Sequence, residues 1–172
     1  MSVSFVIDPL DFVQNAGIHH GKIPVDALVR LHDFLFDKEG ELIYQISGQF
    51  DKHEKPGLRL EIKGKIHLSC QRCLGKLPHT IDLQTFLVLA KTEAELDQAD
   101  EDEDEAVDAI LATPDMDVVS LIEDEIILSL PISSCHTEGE CSIQELESIK
   151  NNLTNKQSAH PFAALLALKK TN

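Results

Sequence analysis

Two hydrophobic periods organise the chain. Leu42, Tyr44, Ile46 and Phe50 recur at even spacing, with Glu41, Gln45, Ser47 and Gln49 between them. The pattern returns with Leu58, Leu60, Ile62, Ile66 and Leu68 on one face and Arg59, Glu61, Lys63, Lys65 and His67 on the other. A period of two with one apolar face predicts antiparallel strands half covered by another layer. A third strand is expected from about His79 to Lys91, where Phe86-Leu87-Val88-Leu89 is apolar on both faces. Ala109-Ile110-Leu111 reads as a short strand returning to the sheet before Thr113-Pro114 breaks it.

The helical period is clearest after Asp117. Val118, Leu121, Ile122, Ile126 and Leu128 make an apolar stripe that Asp117 caps and Pro131 ends. Near the front, Phe5 to Leu10 reads as a short strand. Asp8 and Pro9 look like a cap and first position for a short helix over Leu10 to Asn15. Apolar residues at Val25, Leu28, Val29, Leu31 and Leu35 predict a helix from about Pro24 to Leu31. Ser142 with Glu145 three residues on opens a further short helix to Asn151. A polar linker follows, and His160 to Lys170 reads as a last amphipathic helix. The expected fold is therefore α+β. A mostly antiparallel sheet of about four or five strands packs against a few helices, within a single domain over residues 1–172.

Charge changes this picture because it is segregated. Residues 1–91 carry 11 Lys/Arg and 11 Asp/Glu; residues 92–149 carry 19 Asp/Glu and no Lys or Arg; residues 150–172 carry four Lys and no acid. Ten of the seventeen residues from Thr92 to Asp108 are acidic, so this segment is expected to be a solvated, flexible insertion. It is also a candidate mimic of nucleic acid or a surface for a basic protein. No apolar run approaches the roughly 18 residues of a membrane span. The first residues show no signal-peptide pattern, so a cytoplasmic location is expected.

Cys70-x-x-Cys73 sits where one predicted strand ends and the next begins. A tight turn there would aim both thiols at a common centre, as in half of a zinc site. Cys135 and Cys141 lie in a loop after the Asp117 helix, and their spacing is looser than the usual two to four. Two readings stand: one structural zinc held by Cys70, Cys73, Cys135 and Cys141, or reduced cysteines in a turn. His136 is a substitute ligand for Cys135. No strand-to-helix context supports a thioredoxin-like pair. The stretch from Lys52 to Lys76 holds seven Lys/Arg against two Glu. Arg59, Lys63 and Lys65 share a strand face with a spacing of about 7 Å, and Arg72 and Lys76 follow in the cysteine turn; such a row would track a phosphate backbone or simply face water. No phosphate loop, nucleophile elbow or zinc-protease motif is present, and no small-molecule substrate is implied. Glu123-Asp124-Glu125 point three ways and make no acid–base pair.

Three separated motifs together resemble the YceD family, the bacterial large ribosomal RNA subunit accumulation proteins. They are Cys70-Gln71-Arg72-Cys73-Leu74, the run Leu121-Ile122-Glu123-Asp124-Glu125-Ile126-Ile127-Leu128-Ser129-Leu130-Pro131, and Pro161-Phe162-Ala163-Ala164-Leu165-Leu166-Ala167-Leu168-Lys169. The resemblance implies a non-enzymatic role in synthesis, processing or stability of large-subunit (23S) ribosomal RNA. On that footing Arg59, Lys63, Lys65, Arg72 and Lys76 are the expected RNA-facing residues. Phe162, Leu165, Leu168 and Lys169 are the expected partner-binding residues of the last helix. The alternative is an acidic module that holds a basic ribosomal or assembly protein without touching RNA.

Overall fold

A computed structural model of the protein describes residues 5–101, 108–137 and 139–141. In chain order the elements are β1 (Val6–Ile7), α1 (Pro9–Gln14), β2 (Ile18–Pro24), β3 (Glu41–Phe50), β4 (Pro56–Ser69), β5 (Lys76–Ala90), α2 (Glu93–Glu101), β6 (Ala109–Leu111), β7 (Met116–Asp117) and α3 (Val118–Ser129). Two short 3-10 turns, Val25–Ala27 and Arg30–Phe34, join β2 to β3. The architecture is α+β. Five strands lie in the order β2-β3-β4-β5-β6, and β1 with β7 makes a separate two-stranded pair. All ladders of the larger sheet are antiparallel except β5 with β6. These elements belong to one compact unit, residues 1–135; residues 136–172 form another.

The alternation read from sequence sets the register. Leu42, Tyr44 and Ile46 of β3 and Leu58, Leu60, Ile62, Ile66 and Leu68 of β4 are all buried on one face. A slip of one residue would put that set in water, so the pattern itself holds the strands in place. The buried face meets Val13 of α1, Val25, Leu28 and Leu31 of the connecting turns, and Val118, Ile122 and Ile126 of α3. Each fully buried Ile or Leu contributes roughly 1.5–3 kcal/mol. Gly48 lets α1 rest on β3, since a Cβ there would stand 2.6 Å from Val13 Cα. Helix α3 begins as its sequence requires: Asp117 Oδ1 accepts from Val119 N at 3.0 Å. It stops before Leu130, which is extended ahead of Pro131.

Four local expectations need correction. No helix spans Pro24 to Leu31. Pro24 closes β2, and the apolar residues after it enter the core from two 3-10 turns. Strand β2 is not legible in the sequence because it lies at the sheet edge and buries only Ile23, leaving no alternation to read. The strand over Phe5 to Leu10 shrinks to Val6–Ile7, because Asp8 already caps α1 through Leu10 N and Asp11 N. Part of the acidic segment is helical: α2 opens with Glu95 N bonded to Thr92 Oγ1 and Lys91 N to Glu95 Oε2. This reciprocal bonding is close to a capping box, and Thr92-x-x-Glu95 is its signature in the sequence. The expected helices over 142–151 and 160–170 and the polar linker lie outside the described residues.

Candidate metal centre and basic sheet face

The turn between β4 and β5 is closed by its own backbone. Leu74 N donates to Cys70 O at 2.8 Å, and Cys70 N donates to Gly75 O at 3.0 Å. Leu74 takes a left-handed φ of 59° to make the reversal. The turn aims Cys70 and Cys73 inward, and both are buried. Gln71 N reaches across to Ser134 O at 2.8 Å, which brings the chain after α3 beside the turn. Ser134 is itself buried.

Among the described residues, Cys70, Cys73, His136 and Cys141 form a group that could hold a metal ion. Each offers one ligand atom, and these atoms lie within 4.8 Å of one another. Tetrahedral zinc takes Zn–S near 2.3 Å and Zn–N near 2.0 Å. Three cysteines and one histidine are a standard donor set for structural zinc. None of the four cysteines forms a disulfide. The structure thus brings together three of the four ligands expected from sequence. Cys135 is not in the group; its Sγ lies 3.4 Å from Ser133 Oγ. His136 takes the fourth position, and its Nδ1 lies 4.0 Å from Cys141 Sγ.

The expected RNA-facing residues fall on the outer face of the sheet and in the cysteine turn. Arg59 Nε meets Glu61 Oε1 at 3.0 Å, and Lys63 Nζ meets Asp82 Oδ1 at 3.6 Å across the β4–β5 ladder. Lys76 Nζ contacts Asp37 Oδ2 at 2.8 Å, while His67 Nδ1 contacts Asp37 Oδ1 at 2.9 Å. Those two partners, Lys76 first, hold the Asp37 carboxyl down at about 2. Lys65 and Arg72 are exposed. Neither is paired with an acid among the described residues. Phe162, Leu165, Leu168 and Lys169 lie outside the described residues.

The three consecutive acids of α3 have three different fates. Glu123 is buried and accepts from the backbone N–H groups of Arg30 and Leu31. Asp124 forms an ion pair with Arg30. Glu125 is half-buried, and burial, with Asp108 and Asp124 nearby, pushes its carboxyl up; a hydrogen bond with Thr85 opposes this.

A family model described as "Large ribosomal RNA subunit accumulation protein YceD" matches residues 58–169. The chain belongs to the YceD family. The match begins at the first residues of β4 and takes in the cysteine turn, α3 and the last expected helix. Among curated proteins, a YceD family relative from Haemophilus influenzae, named Large ribosomal RNA subunit accumulation protein YceD, is 24% identical over 174 residues. That alignment covers 98% of this chain and 97% of the relative. No solved structure gives a significant match. Among the described residues no helix is long and apolar enough to cross a membrane.

Proposed function

We propose that the chain supports accumulation of large-subunit ribosomal RNA in the cytoplasm, as a binding factor without catalysis of its own. Membership of the YceD family carries this reading. The working part is the cysteine turn with the adjoining sheet face. One zinc held by Cys70, Cys73, His136 and Cys141 would make the turn rigid. Arg72, Lys65, Lys63, Arg59 and Lys76 would then meet the phosphates of precursor RNA or of an assembly particle. Rigid placement matters because a fixed row of cations releases counterions without first losing side-chain and loop freedom.

Two measurements test the two halves. Protein prepared without a histidine tag should carry one equivalent of zinc. Chelation should remove the metal and loosen the fold, and Cys73→Ser should not retain it. A chain that binds no zinc and is indifferent to chelator sinks the metal reading. Separately, a host lacking the chain should show reduced 23S relative to 16S ribosomal RNA, restored by the wild type. Lys65→Glu with Arg72→Glu should fail to restore it. Full restoration by that variant would remove the basic turn from the proposal, and an unchanged rRNA ratio in the deletion host would remove the function.

A further inference from the structure

On the other side of β5 lies an open groove of about 630 Å³, formed by β5, β6 and the C-terminal half of α3. Leu83, Ile110 and Leu128 give it an aliphatic floor and wall, and Asp108 and Glu125 give it two carboxylates. No Lys or Arg is among its described lining residues. Leu128 is 79% exposed. The stretch of sequence that supplies both acids, residues 92–149, has no Lys or Arg.

We propose that this groove docks a basic polypeptide segment of a partner protein, with aliphatic side chains on Leu83, Ile110 and Leu128 and a Lys or Arg head at Glu125 and Asp108. The chemistry selects this occupant. Carboxylates beside the floor repel RNA phosphates, and an aliphatic floor offers nothing to a hydrated metal ion. A Lys or Arg side chain brings both halves of the match, an apolar stem and a charged head. The half-buried carboxylate gains most from such a head, because a charge pair strengthens as water leaves. The docking site is separate from the basic sheet face and stands whether or not that face meets RNA.

The probe is a short labelled peptide of alternating Lys and Leu, followed by fluorescence anisotropy against the full chain. Wild type should bind it in a salt-dependent manner. Glu125→Gln with Asp108→Asn should weaken binding by about tenfold. Glu93→Gln with Asp97→Asn removes the same charge from α2, outside the groove, and should change it by less than about twofold. Leu128→Ser, at an exposed site, should weaken binding without unfolding the chain, as read by circular dichroism. Equal losses in the two charge variants would reduce the effect to general attraction and overturn the proposal. So would absence of binding, or an unaltered affinity in Leu128→Ser.

Discussion

The outer face of the sheet and the groove behind β5 treat charge in opposite ways. On the outer face cations meet acids: Lys22 with Glu41 at 2.8 Å and Lys63 with Asp82 at 3.6 Å across neighbouring strands, and Arg59 with Glu61 at 3.0 Å along β4. Asp37, held by Lys76 and His67, sits at about 2. In the groove Glu125 is half-buried beside Asp108 with no cation among the described lining residues, and its carboxyl is pushed up. Two carboxylates of one chain are thus driven apart by what surrounds them. The difference follows from the sequence. Residues 1–91 hold equal numbers of both signs, and period-two strands bring those signs together. Residues 92–149 have nothing basic to offer.

Glu123 is the sharpest exception on the acidic side, and changing it should have the largest effect. It is buried, yet it takes two backbone N–H groups from the turn that leads into the core. Removing it strands those donors. Glu123→Ala should destabilise the chain by about 1–3 kcal/mol, and Glu123→Gln, which keeps an acceptor, by less. Urea denaturation of the two variants checks this. A change below about 0.5 kcal/mol in the alanine variant, the level of an ordinary surface site, would mean that the contact does not organise the turn.

Asp37 tests the paired side through pH. A carboxyl held below its unfolded value stabilises the folded state above roughly pH 4. That contribution is lost as pH falls through about 2. Asp37→Asn should therefore flatten the stability profile between those values and leave its shape near neutrality alone. Acid denaturation followed by circular dichroism, with the wild-type carboxyl titrated by NMR, reads the window directly. An ordinary carboxyl value for Asp37 would break the contrast with Glu125.

What the sequence makes legible follows the same division. Strands β3 and β4, α3 and its Asp117 cap are readable because one face of each is continuously apolar. Cys70 and Cys73 are readable from spacing alone. Strand β2 is not, since His19, His20, Gly21 and Lys22 at a sheet edge carry no face. His136 is visible only as a neighbour of Cys135; which of two adjacent side chains turns toward Cys141 is decided by loop geometry, not by spacing. The groove is invisible in the sequence because its two acids, Asp108 and Glu125, are far apart along the chain and meet only through the β6–α3 return. Arg30, the partner of Asp124, comes from another part of the chain altogether.

Glu125 should give a smaller effect than Asp37, of opposite sign. A carboxyl held above its usual value favours the folded state only while it is protonated. Stability from it is present at low pH and lost as pH rises through the folded value. Glu125→Gln should therefore be neutral at low pH and slightly stabilising near neutrality. A destabilised variant near pH 7 would reveal a cation partner for Glu125 and close the case for an unoccupied charge in the groove.

The outer-face pairs should matter least to stability and most to binding. Lys63 and Asp82 are both more than half exposed, and a double-mutant cycle between them should give a coupling of about 0.2–1 kcal/mol or less. A weak pair is an exchangeable one: a phosphate can take the place of Asp82 at little cost. On the RNA-binding role proposed above, Asp82→Asn should therefore leave the fold alone while strengthening binding to large-subunit RNA and steepening its dependence on salt. Freeing one cation adds about 0.7–0.9 to that slope. A strong coupling between Lys63 and Asp82, or an RNA affinity untouched by Asp82→Asn, would mean that the face balances its own charge for the fold and leaves none for RNA.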